Sequence, residues 1–203
     1  MSLYDLIFWD VDTQEDFMLP GGKLYVPRAE QIISNLVRLT EHARERQILI
    51  VASTDAHQPD DPEFAAYPPH CVAGTPGQQK IRETKLGDAY VVPNRPMELP
   101  PLSALSGYRQ VIVEKQKLDV FTNPNIDALV RMLGLKEIVL YGVVTELCVE
   151  CAARGLLERG YRVRLVTDAA CALDEAKARE FVREFEQRGG KLCTTEQVVG
   201  DIR

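Results

Sequence analysis

No stretch of the 203-residue sequence stays apolar for the roughly 20 residues that a membrane-spanning helix needs. Its opening, MSLYDLIFWD, has an acid where a secretory signal carries basic residues. Both absences predict a cytoplasmic protein with no membrane partner. Excess positive charge is missing too: 24 Lys+Arg stand against 30 Asp+Glu, for a net charge of −6. A nucleic-acid footprint needs clustered cations to displace counterions, so no nucleic-acid partner is expected. Cysteine is sparse and odd in number, five in all, which is not the make-up of a disulfide scaffold and leaves free thiols as the expectation. The sequence has no internal repeat, low-complexity tract or linker, so residues 1–203 read as a single domain. Histidine is scarce, with three in the chain, so the nearness of two of them carries weight.

What is present is enough chain for one core. By surface scaling, a chain of this size folds to roughly 9,600 Å² and buries roughly 70% of its extended surface. Short β-branched runs alternate with stretches whose apolar residues recur every three or four positions, the pattern of an α/β fold with a parallel sheet between helices. Strands are predicted from Leu6 to Val11, Ile48 to Ser53, Val111 to Val113, Ile138 to Val143, Val163 to Val166 and Lys191 to Thr194. Their continuous apolar character suits burial on both faces. A first helix enters at Pro27 and carries the stripe Ile32, Ile33, Leu36, Leu39 and Ala43. Others are predicted from about Asn123-Pro124 to Gly134, Glu146 to Gly160, and Asp174 to Gly189-Gly190, each ended by glycine. The stretch from Gln58 to Pro101 is rich in proline and glycine, lacks periodicity and reads as a long functional loop.

Three clusters carry chemistry. In Asp12-Thr-Gln-Glu-Asp16-Phe17 the first acid follows an apolar strand, at the carboxyl end where open parallel sheets place ligands. Asp12 is a candidate acid or base, although a turn aspartate would serve as a backbone cap at the same spot. Asp10 lies on the same face, and position alone leaves the choice open. In Val51-Ala-Ser-Thr-Asp55-Ala-His57, side chains two apart project to one side and can share a cation. Glu63 and His70 follow in the acidic loop, and two histidines with carboxylates suit zinc, manganese or ferrous iron. The third cluster is Gly142-Val-Val-Thr-Glu146-Leu-Cys148-Val-Glu-Cys151, read as strand, turn and helix. A thiol in the first helical turn meets unpaired N–H groups and the positive end of the dipole, which lower its pKa and cradle an oxyanion. Equally, Cys148 suits the role of a small buried hydrophobe. Val113-Glu-Lys115-Gln-Lys117 adds two lysines, either able to stabilise a nearby thiolate.

Taken together, these stretches resemble the isochorismatase-like cysteine hydrolases, and within them the metal-containing nicotinamidases. The Asp-x-Gln-x-Asp-Phe spacing selects Asp12 over Asp10, Val-Glu-Lys followed by Phe121 favours Lys115 over Lys117, and Gly142-Val-Val-Thr-Glu-Leu-Cys148-Val is similar to the nucleophile motif. The resemblance implies a three-layer, doubly wound, six-stranded and mainly parallel sheet with helices on both faces. It also implies a catalytic triad of Asp12, Lys115 and Cys148, a cis peptide between Val143 and Val144, and an oxyanion hole from the N–H groups of Val144 and Cys148. Asp55, His57 and His70 correspond to the family's metal ligands and Glu63 to the extra carboxylate of some members, holding one divalent ion: zinc first, with iron or manganese as alternatives. Phe17 and Tyr67 would sandwich the substrate ring. The implied activity is hydrolysis of nicotinamide to nicotinate and ammonia in NAD salvage, with a small-molecule amide as partner and a homo-oligomer left open. Isochorismate hydrolysis, which the family runs without cysteine or metal, and a metal or redox sensor built on Cys148-x-x-Cys151 are the rival readings.

Overall fold

The apolar runs do form strands buried on both faces: Ile7, Phe8, Trp9 and Val11 are all inaccessible to solvent. In the computed structural model, which describes residues 4–201, seven strands form one sheet. They are β1 (Leu6–Val11), β2 (Ile50–Asp55), β3 (Ala89–Val92), β4 (Gln110–Lys115), β5 (Glu137–Val143), β6 (Arg162–Cys171) and β7 (Lys191–Cys193). Their order is β3-β4-β2-β1-β5-β6-β7, and every pairing is parallel. The expected six-stranded, mainly parallel sheet is therefore corrected to seven parallel strands. The added strand, β3, lies inside the stretch read as irregular loop. It spans four residues at the sheet edge, with Val91 44% exposed and only Val92 fully buried, so it lacks the continuous apolar signal of a central strand.

The helices are α1 (Glu15–Met18), α2 (Ile33–Arg46), α3 (Leu102–Leu105), α4 (Ile126–Leu133), α5 (Glu150–Glu158), α6 (Glu175–Gln187) and α7 (Thr195–Asp201). Side chains alternate across the sheet as the pleat requires. Ile7, Trp9 and Val11 face one core with Leu129 of α4, Leu156 of α5 and Phe181 of α6. Phe8, Ile50 and Tyr141 face the other with Leu36 and Leu39 of α2 and Val198 of α7. Helices thus cover both faces. The accessible surface, 9693 Å², matches the scaling expectation. No helix among the described residues is long and apolar enough to cross a membrane.

Strand order reverses beside β1: the chain runs outward to β2, then resumes on the other side at β5. Doubly wound sheets bind ligands at such a switch point, outside the carboxyl ends of the strands. Gly142 makes the junction possible. Its φ is +124°, and a Cβ there would lie 2.1 Å from the Val11 carbonyl oxygen, so a side chain would force β1 and β5 apart.

Candidate active site

Each strand leaving this edge delivers one reactive group. Asp12 follows β1 in the left-handed region, with φ +51°, a conformation that a short polar side chain tolerates better than most. Its Oδ1 accepts a 2.7 Å hydrogen bond from Ser53 Oγ on β2. Its Oδ2 lies 2.9 Å from Lys115 Nζ as an ion pair without hydrogen-bond alignment, which leaves that oxygen free to take a proton. Asp10 is engaged elsewhere, accepting from Lys80 Nζ at 2.8 Å and from Thr13 Oγ1 at 2.9 Å.

Lys115 ends β4, where register sets it beside Asp55 of β2. Its buried ammonium is 2.5 Å from Asp55 Oδ1 and 3.6 Å from Cys148 Sγ. Lys117 is exposed. After β5 the peptide between Val143 and Val144 is cis. Thr145–Val149 then forms one π-helical turn before α5, so the α-helix expected from Glu146 starts at Glu150 instead. Such turns accommodate an extra residue and recur at functional sites; here the turn carries Cys148.

The electrostatics differ from the expectation of a thiol acidified by the helix start. Burial pushes the Cys148 thiol well above its usual range, and Lys115 offsets this only in part. Burial also raises the Asp12 carboxyl against the pull of Lys115. Lys115 itself is raised well above the ordinary lysine range: burial opposes its charge, but Asp12 and Asp55 outweigh that cost. A base must therefore be close when the sulfur reacts, and Asp12 is that neighbour.

Asp55, His57 and His70, all buried, bring ligand atoms within 4.8 Å of one another. His57 Nε2 is buried without a partner and lies 3.8 Å from Asp55 Oδ2. His70 Nδ1 lies 2.9 Å from the Pro68 carbonyl oxygen, which leaves its other nitrogen for the cluster. An orphaned imidazole nitrogen beside a carboxylate and a second imidazole is a donor set that suits a divalent transition-metal ion. Glu63 groups with His57 and Asp61 and lines the adjoining cavity.

That cavity, of about 70 Å³, is lined by Cys148, Phe17 and Tyr67 among others. Phe17 is buried, whereas Tyr67 stands 45% exposed at the rim beside Leu118 and Leu173. The charged side chains lining it are Asp12, Asp55 and Glu63, with no lysine or arginine among the described lining residues.

Several supporting residues escaped sequence reading. The Gln14 amide clasps the backbone of Asp55 from both sides, donating to its carbonyl at 2.8 Å and accepting from its N–H at 2.7 Å. Asp16 accepts from the N–H of Cys71 at 2.7 Å, next to His70, and Gly77 packs so tightly on this carboxylate that a Cβ would clash at 2.1 Å. Gln14 and Asp16 both lie in the first motif, so their spacing was a usable signal. Glu146, whose Oε1 accepts from the N–H groups of Leu173 and Asp174 at 2.9 and 2.6 Å, lies likewise in the nucleophile motif, whereas Ser53 and Asp61 had no such signal.

Comparison with known proteins fits this geometry. The isochorismatase domain family matches residues 6–100 and 97–197. The chain is 28% identical over 200 residues to the nicotinamidase of Escherichia coli, covering 91% of this chain and 92% of that protein. It is 30% identical over 164 residues to streptothricin hydrolase of Streptomyces noursei, covering 81% of this chain and about half, 49%, of that protein's length. Among solved structures, pyrazinamidase of Pyrococcus horikoshii in complex with zinc superposes with a TM-score of 0.76 at 27% identity, covering 94% of this chain and 99% of that one.

Proposed function

Because the chain belongs to the isochorismatase domain family, we propose that it is a cysteine amidohydrolase of the nicotinamidase kind. It hydrolyses nicotinamide or a close aromatic amide to the acid and ammonia through a thioester on Cys148. One observation carries the reading: Lys115 Nζ lies 2.9 Å from Asp12 and 3.6 Å from Cys148 Sγ, and those two partners line one cavity.

Asp12 takes the thiol proton as Sγ attacks the carboxamide carbon, so a thiolate need not be stored in a buried, carboxylate-rich site. The N–H groups of Val144 and Cys148 receive the oxyanion, each donor worth about 3 kcal/mol in comparable sites. Asp12 then returns its proton to the departing nitrogen, the C–N bond breaks and ammonia leaves. Next Asp12 draws a proton from water, whose oxygen attacks the thioester carbon; the C–S bond breaks and the sulfur recovers its proton. Lys115 holds Asp55 charged throughout and favours the charged form of Asp12 each time that carboxylate must act as the base. Phe17 and Tyr67 flank the ring. A divalent ion held by Asp55, His57 and His70, with Glu63 beside them, would supply a Lewis-acid anchor for a ring nitrogen and thereby orient the carboxamide. A soluble salvage role, returning nicotinate to NAD synthesis in the cytoplasm, follows from that substrate.

The carboxylate-lined wall favours a neutral amide over isochorismate, whose two carboxylates would meet Asp12, Asp55 and Glu63. An ammonia-release assay against nicotinamide, pyrazinamide, aliphatic amides and isochorismate tests the proposal, run on zinc-loaded and chelated protein. Ammonia from nicotinamide, lost on chelation and restored by zinc, is expected. Turnover of isochorismate with no ammonia from any amide would replace this reading with the vinyl-ether one.

A further inference from the structure

His57 has a partner on the side away from the cation cluster. Its ring is 1% exposed, and its Nδ1 sits 3.0 Å from Asp61 Oδ2, itself on a side chain only 6% exposed. An ionised carboxylate accepts and cannot donate, so Nδ1 carries the proton, and in the neutral ring that a cation requires Nε2 is the nitrogen with the lone pair. That lone pair belongs to the one imidazole nitrogen of this ring without a partner, directed to the side of Asp55 and His70. The other carboxylate oxygen of Asp61 accepts from the N–H of Glu63 at 2.9 Å, which caps the short turn Pro62–Ala65. His70 has the same tautomer imposed by a neutral group, the Pro68 carbonyl.

We infer that Asp61 is a positioning residue for the cation site: its carboxylate holds the His57 ring and tautomer so that Nε2 faces the cluster, and makes that nitrogen a stronger ligand. The inference rests on the cation reading given above. Carboxylate partners of ligating histidines typically contribute ten- to a hundredfold in metal affinity, because they remove the cost of orienting the ring and raise its basicity. Asp61 would do so for one histidine only. The two rings are therefore unequal, with His57 the stronger ligand and His70 the weaker. Asp61 also couples ligand to loop, since the same side chain pins the backbone of Glu63.

Zn²⁺ affinity of the metal-free full chain, measured by competition with a coloured chelator in the absence of substrate, is the test. Asp61→Asn retains a side-chain oxygen able to cap the turn but removes the charge. About tenfold weaker Zn²⁺ binding is expected, with the thermal midpoint of the metal-free protein unchanged; Asp61→Ala should weaken binding further. In the proposed amidase reaction, Asp61→Asn should show a raised KM at limiting zinc that excess zinc restores. Zinc affinity within twofold of the natural protein in Asp61→Asn would overturn the inference while leaving the cation reading intact. Failure of the natural protein to bind Zn²⁺ better than His57→Ala would overturn both.

Discussion

The active-site cleft has two halves built in different ways. Asp12, Asp55, Lys115 and Cys148 sit at or just beyond the carboxyl ends of β1, β2, β4 and β5, and all four are at least nine-tenths buried. Each is within bonding reach of another through Lys115. Glu63, Tyr67 and His70 hang instead on a 3₁₀ turn and a proline-rich loop, where Tyr67 is almost half exposed. The difference separates two tasks. Groups that exchange protons need sub-ångström constancy, which a sheet supplies through register; groups that select a substrate tolerate, and vary on, loops.

This contrast can be broken by substitution. Cys148→Ala should abolish ammonia release, with a loss on the order of 10⁶ in kcat as for other covalent nucleophiles; measurable turnover would move the reactive sulfur elsewhere. Next in size, Lys115→Met leaves Asp12 and Asp55 buried without their counter-charge and should lower stability by about 3–5 kcal/mol in urea unfolding. A stability within 1 kcal/mol of the natural chain would mean that Lys115 does not balance those carboxylates. Ser53→Ala removes the hydrogen bond that lowers the Asp12 pKa, so the carboxyl, already raised by burial, rises further. Its basic form is then lost at higher pH, and the acid limb of kcat/KM should move upward; an unmoved limb would show that Asp12 is not the group titrating. The smallest effect belongs to the loop half: Tyr67→Ala should raise KM for nicotinamide by roughly three- to tenfold with kcat nearly constant, as expected when uniform binding is lost. A large fall in kcat instead would erase the division between the halves. As a control, Cys151→Ser should leave activity within about twofold.

The two halves also differ in how legible they were. Five of the six strands read from sequence appear with ends moved by up to two residues, and the sixth, read over four residues, extends to ten, because continuous apolar runs mark buried strands but not where hydrogen bonding stops. Candidate groups near four strand ends were legible because apolar-to-polar transitions are abrupt there, but residue pattern alone left Asp12 against Asp10 and Lys115 against Lys117 open. The edge strand β3 could not, because it is short and half exposed. Choosing Asp12 over Asp10 needed family resemblance or coordinates: both residues share a strand face, and only the partners of Asp10, Lys80 and Thr13, remove it from contention. For Cys148, local structure gives one influence and tertiary structure another. A helix start acidifies a thiol, but burial among carboxylates opposes it more strongly.

By itself, the amino-acid order determined the α/β class, the apolar strands and the short list of reactive residues near their ends, because these follow from nearest-neighbour patterning. Which of those residues touch was decided by tertiary structure alone. Ser53 and Asp12 are 41 positions apart and Lys115 and Asp55 are 60 apart, and no local preference encodes such meetings. They arise when parallel register and the reversal beside β1 bring separate strand ends to one edge. There, loss of water raises the Cys148 thiol and makes the neighbouring carboxylate and ammonium indispensable to one another.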